Sequence, residues 1–180
     1  MKARSLLAVC VMVAAMPATG QEAPVLKEGQ VDAESLVEAL APKQPVRTRS
    51  IRIVRDDVGS PAVSPKPAKV SLLITFDTNS ANLTPGAKQS LDVVGQALAS
   101  EKLAAARFAI EGHADPRGVA AANLKLSQLR AESVRNYLAD NAHIDRARLE
   151  AVGKGSSELM NKATPEAPEN RRVTIVNLSR

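Results

Sequence analysis

From Val70 onward the chain alternates short, β-branched apolar runs with longer stretches whose apolar residues recur at helical spacing, and that alternation limits the folds open to it. "VSLLITF" (70–76) reads as a strand. "TPGAKQSLDVVGQALAS" (84–100) reads as a helix, with Thr84 as cap, Pro85 in the first helical position, and Leu91, Val94, Ala97 and Leu98 along one face. "ARFAIEGHA" (106–114) is a second strand and residues 119–141 a second helix. "LEAVGKG" (149–155) and "RRVTIVNL" (171–178) supply two more strands. The order β-α-β-α-β-β predicts an α+β fold, a four-stranded mixed sheet with helices packed on one face. Right-handed crossovers make helix-linked strands parallel where they are neighbours.

The preceding residues have a different character. "MKARSLLAVCVMVAAMPATGQ" carries Lys2 and Arg4, then an apolar run, then small residues at Ala18 and Gly20, the pattern of a secretory signal peptide over 1–20. The run falls short of the ~20 residues of a membrane span, so no transmembrane segment is expected in the mature chain. Cys10 stands too close to the last cation, behind bulky Val9, for a lipoprotein cleavage site; its loss with the leader leaves no thiol and no disulfide. Residues 21–69 form an N-terminal segment and proline-rich linker. Within it, "DAESLVEALA" has a short helical pattern capped by Asp32 or Ser35, with Leu36, Val37 and Leu40 on one face, and "RTRSIRIVR" (47–55) could form an isolated strand. The domain proper is expected over 70–180.

The net charge is +5, of which the leader's two cations account for two, leaving a mild excess of +3. With two Phe, one Tyr and no Trp there are no stacking platforms for nucleic acid. A basic, exported chain suits an anionic envelope polymer or surface better.

The second helix holds an anomaly. At about 100° per residue, Leu126, Ala131, Val134, Tyr137 and Leu138 define its buried arc, with Lys125, Gln128, Glu132, Arg135 and Asn136 opposite. Arg130 and Asn123 fall inside the arc. A guanidinium turned toward the sheet keeps its proton and needs an anion. Asp115, closing the second strand, is the nearest candidate. An internal Asp115–Arg130 bridge would satisfy both charges. Alternatively the two stand side by side to receive a zwitterion, carboxylate to ammonium and guanidinium to carboxylate.

Five segments in order, "ITFDTNSANLTPGAKQSLDVV", "IEGHADPRG", "NLKLSQLRAESVRNYL", "AVGKG" and "ENRRVTI", resemble the OmpA-like C-terminal domain, the peptidoglycan-binding module of outer-membrane protein A, the peptidoglycan-associated lipoprotein and the motor protein MotB. The resemblance implies a noncatalytic domain without cofactor that grips the diaminopimelate of the stem peptide, in a periplasmic protein associated with the cell wall. On the matching positions, Asp115 would take the ammonium and Arg130 the carboxylate. Asp77 and Asn79 would line the pocket, the backbone around Thr78 would donate to carboxylates, and Asn123 would buttress it. Ala114 stands where the family usually has Thr, and Pro116 and Arg117 where polar or acidic residues are common. Arg117 would then face other carboxylates of the polymer.

Other patterns in the sequence compete with this one. His113 and Asp115 form half a metal-ligand pattern, and with a metal they would make an envelope hydrolase. His143 lies far off in the chain, so His113 is expected instead beside the pocket, offering a ring edge or a pH-dependent charge. The glycines of "GKGSS" would let the third strand exit beside the pocket. Arg171 and Arg172 are expected to anchor the domain surface, one of them in solvent. The basic stretch 47–55 could instead recruit an envelope protein partner, making the chain an adaptor.

Overall fold

A computed structural model describes residues 25–27, 31–41, 67–76 and 80–179. The leader, Cys10 and the possible strand 47–55 lie outside the described residues. Strands β1 (Val25–Leu26), β2 (Lys69–Leu72), β3 (Phe108–His113), β4 (Leu149–Gly155) and β5 (Val173–Asn177) form one mixed sheet in the order β1-β2-β5-β3-β4. Helices α1 (Ala33–Leu40), α2 (Pro85–Ala99) and α3 (Ala120–Asn141) complete the fold. This is the α+β architecture expected, with a two-residue edge strand added to the four. The adjacent pair β3 and β4, linked by α3, is parallel, whereas β5 lies antiparallel between β2 and β3 and separates the other helix-linked pair.

β2 is shorter than "VSLLITF" suggested. Its partner β5 runs out at Val173, opposite Leu72, because the chain before it turns through a 3-10 segment at Pro168–Asn170. Phe76 is left to make an isolated bridge with Leu83.

Strand alternation sorts the two faces. Val70, Leu72, Phe108, Ile110, Val173 and Ile175 are buried in the same core as Leu91, Val94 and Leu98 of α2 and Ala131, Val134 and Leu138 of α3. On the other face Ser71 and Thr174 share a hydroxyl hydrogen bond of 3.0 Å. Thr84 caps α2 by accepting from the Ala87 amide, and Pro85 sits in the first turn. At the opposite end of that helix Arg148 donates to the Leu98 carbonyl, an acceptor that helix termination leaves open, and to the carbonyls of Leu103 and Ala106 in the turn that follows.

Part of the segment before residue 70 joins this core. Asp32 caps α1, whose Leu36 and Leu40 are wholly buried, and Asn177 Nδ2 donates to the Leu40 carbonyl at 2.8 Å. Eight residues cannot hold a helix in water alone; packing against α2 and β2 does it. Leu36→Ala is expected to destabilise the protein by about 2–5 kcal/mol, read as a lower denaturation midpoint. A change within ~0.5 kcal/mol would mean α1 is not part of the cooperative unit.

α3 rides close on the sheet. A Cβ at Gly112 would be driven into the carbonyl oxygen of Ser127, and one at Gly153 would lie 2.7 Å from the Gln128 nitrogen. The glycines of β3 and β4 therefore admit the helix backbone, a different role from releasing the strand beside a pocket. Ser127 Oγ accepts from the Gly155 amide at 2.9 Å. Gln128, expected on the outer side, reaches inward: its Oε1 accepts from Gly153 N at 2.6 Å and its Nε2 donates to the Ala151 carbonyl at 3.2 Å. The helix covers both β3 and β4, so its buried surface is wider than one apolar stripe.

Candidate functional site

Asp115 lies just past the end of β3, where His113 N donates to the Arg172 carbonyl and Ala114 N to the Gly155 carbonyl. These bonds pin the turn between two strands. Gly118, at φ +85°, lets the chain swing into α3. Asn123 steadies the turn from the first part of that helix, its Nδ2 donating to the carbonyls of Asp115 at 3.1 Å and Arg117 at 2.8 Å. This is a buttress to the turn.

The Asp115 carboxylate is buried and accepts four hydrogen bonds. Oδ1 accepts from the Arg117 amide and Nε, each at 3.1 Å; Oδ2 accepts from Arg117 Nη2 at 2.7 Å and Arg171 Nη1 at 3.0 Å. Four bonds use up what a carboxylate can readily accept. Arg117, foremost, and Arg171 overcome the effect of burial and hold this carboxyl down to about 2.

Arg130 does not close an internal bridge with Asp115, because the nearer guanidinium groups of Arg117 and Arg171 already occupy that carboxylate. Its Nε donates to the Ser80 carbonyl at 3.1 Å, and its guanidinium carbon lies 4.8 Å from the centroid of Phe76. No acceptor among the described residues engages its terminal nitrogens. Burial, then the charge of Arg171, act against its cationic form, while Asp115 supports it. Among the described residues Arg130 is thus a half-buried fork whose outer nitrogens have no acceptor. Together with Phe76, His113, Arg171 and Arg172 it lines a cavity of about 280 Å³. Asp77, Thr78 and Asn79 lie outside the described residues. The residues on either side of them, Phe76 and Ser80, both touch Arg130.

Arg171 and Arg172 have more specific positions than surface anchoring. Arg171 keeps 40% of its side chain exposed while holding Asp115, and Arg172 is buried. Asn170, wholly buried, arranges their approach. Its side chain accepts from the amides of Met160 and Asn161 and donates to the carbonyls of Asn161, Thr164 and Pro165, drawing the preceding loop around itself. A side chain serving backbone groups in its own loop leaves no periodic trace in sequence, so Asn170 could only have been suspected as a polar residue leading a strand.

His113 is buried, and burial, followed by the Arg172 charge, lowers it to about 4. It is neutral at neutral pH, so it supplies a ring and not a charge. Because the unfolded imidazole takes a proton at about 6.5 and the folded one only near 4, stability should fall as pH drops through that interval. The Asp115 contribution, complete above about 3.8, is lost as pH falls toward 2. Denaturation midpoints at pH 7, 5 and 3 should therefore decline stepwise. His113→Gln should flatten the upper step alone; an unchanged slope between pH 7 and 5 would assign that step to other groups. Among the described residues no group of three or more His, Cys, Asp or Glu is gathered as for a metal ion, and no described helix is long and apolar enough to cross a membrane.

A mixed sheet with helices on one side, and a cleft of arginines beside a buried carboxylate, define a class: an α+β module with a charged recess at one end of its sheet. The model of the OmpA family matches residues 75–172, and the chain belongs to that family. Outer membrane protein A of Yersinia pseudotuberculosis is 35% identical over 136 residues, covering 70% of this chain and 38% of that protein. The chain spans about a third of the length of the first such relatives it matches, 33–38%. Among solved structures, the peptidoglycan-associated lipoprotein of Burkholderia pseudomallei superposes with a TM-score of 0.50 at 29% identity, over 59% of this chain and 88% of that one. The cell wall anchor of the type VI secretion system of Pseudomonas aeruginosa superposes with a TM-score of 0.53 at 27% identity, over 64% and 83%. These relatives are outer-membrane and cell-wall-associated proteins, which sets the family in the Gram-negative envelope.

Proposed function

We propose that the protein binds peptidoglycan without covalent attachment or catalysis, and so holds itself at the cell wall in the periplasm. The observation that supports this reading is Arg130: a half-buried guanidinium, backed by Phe76, with no carboxylate on its terminal nitrogens among the described residues. Such a group is completed by an incoming carboxylate, which it can meet with two parallel bonds. Asp115 supplies the opposite charge beside it. The stem-peptide diaminopimelate presents one ammonium and one carboxylate on a single carbon, a match for that pair. The cell-wall-associated relatives support the polymer as ligand; the amino acid is the finer step.

Binding has a local cost at Asp115, whose acceptor positions are already filled. The ligand ammonium displaces the Arg117 side chain, which is 56% exposed and can return to water, while the Arg171 bond stays. Arg117 thereby holds the place that the ligand's cation would take on Asp115, in place of a contact to carboxylates of the polymer. By resemblance to the family, Asp77 and Asn79 would line the same pocket and the backbone around Thr78 would donate to the ligand's carboxylates.

The reading is tested by cosedimentation of the purified protein with isolated sacculi, parent beside Arg130→Ala and Asp115→Asn. Parent protein should pellet with the wall and release no soluble fragments, and both variants should remain in the supernatant. Equal pelleting of all three would overturn it.

A further inference from the structure

The face of the sheet turned away from the helices carries its own recess. It measures about 500 Å³ and lies between β2, β3, β5 and the chain around Glu158–Lys162. Strand alternation delivers Lys69, Ser71, Glu111, His113, Arg172 and Thr174 to this side. Two carboxylates are present and share one ammonium; both also support the Arg172 charge from a distance, without an ion pair. Lys154 Nζ lies 3.3 Å from Glu111 and 2.9 Å from Glu158. Arg172, and Lys69 and Lys162 at the exposed rim, are left with no ion pair among the described residues.

Arg172 is the decisive group. Only 8% of it is exposed, and among the described residues its guanidinium makes one hydrogen bond, a long contact from Nη2 to the Glu158 carbonyl at 3.3 Å. Its Nε and Nη1 are buried with no hydrogen-bond partner among the described residues, as are both ring nitrogens of His113, which is 3% exposed and has its Nε2 4.0 Å from Glu111. A guanidinium cannot become neutral, and buried donors left unmet are rare because they forfeit their water without replacement. The neighbouring Ser71 and Thr174 hydroxyls bond each other, and neither accepts from Arg172.

We propose that this recess is a second anion-binding site, in which a small oxyanion, carboxylate or phosphate, is met by Arg172 at the floor and by Lys69 and Lys162 at the rim. It shares the wall made by His113 and Arg172 with the cavity at Arg130 but opens on the opposite side from the helices. Its occupant would add a sheet-side contact to whatever the Asp115–Arg130 cleft holds, and neither rim lysine belongs to that cleft.

The test follows the arginine Nε–H resonances of the purified protein while inorganic phosphate or acetate is added at constant ionic strength, with chloride as the control. The Arg172 signal should move saturably with at least one oxyanion and not with chloride; the anion giving the tighter titration names the source as phosphate-bearing or carboxylate-bearing. Lys69→Ala combined with Lys162→Ala should weaken that titration at least threefold while leaving sacculus binding unchanged. Since Arg172→Ala can fail to fold, the rim variant carries the decision. A motionless Arg172 signal, an equal response to chloride, or a rim variant that titrates like the parent would overturn the site. A failure of sacculus binding in the parent would strike the wall-binding reading and leave this result intact.

Discussion

Arg130→Ala should lose sacculus affinity by a factor of roughly 30 or more, since removing one partner of a desolvated charge pair costs about 2–5 kcal/mol and each 1.4 kcal/mol is tenfold. The guanidinium is held against Phe76 and Ser80 before ligand arrives, so little ordering is needed on binding. Arg130→Lys should recover only part of the loss, because an ammonium keeps the charge but not the planar fork. Asp115→Asn should be comparably damaging, though it also releases Arg117 and Arg171, so circular dichroism must show the variant folded. Arg117→Ala is the informative contrast. If that side chain occupies the ammonium's place, its removal should leave binding intact or strengthen it severalfold. Loss of binding in Arg117→Ala as complete as in Arg130→Ala would refute displacement.

Gly112→Ala is expected to destabilise the fold at or beyond the upper end of the ~1–3 kcal/mol typical of overpacking. The obstruction is the Ser127 carbonyl, a backbone group in the middle of α3, and it has no rotamer by which to yield. Relief requires moving the helix, which would break the Ser127 bond to Gly155 and the Gln128 bonds to β4. Urea denaturation measures the difference. A midpoint indistinguishable from the parent would show that α3 sits farther from the sheet than described.

The parts of this molecule legible in sequence were those encoded locally. Thr84 and Pro85 mark a helix start by their own chemistry, and the alternation through "RFAIEGH" assigns inner and outer faces without knowledge of the partner strands. Placing Asp115 and Arg130 at one end of the sheet required only a strand, a turn and a helix in succession. What failed depended on chain returning from afar. Arg171 comes to Asp115 from 56 positions away, and its bond, together with those of Arg117, is what keeps Arg130 off that carboxylate. Gln128 looked solvent-facing because a helical wheel assumes one buried stripe, whereas α3 straddles two strands. The docking of α1 was invisible for the same reason: its apolar face was plain, but its receptor, built from α2, β2 and Asn177, is not contiguous in sequence.

The attachment of α1 and β1 gives the module a mechanical polarity. If the Arg130 cleft is fastened to a stiff polymer, tension applied through the chain ahead of Val25 enters the domain at β1, whose hydrogen bonds to β2 run parallel over two residues. That short seam yields first. The load then falls on the Leu36 and Leu40 contacts, while β5, clasped between β2 and β3, is shielded. Such a layout would let the leading end unravel and lengthen the tether under strain while the grip on the wall survives.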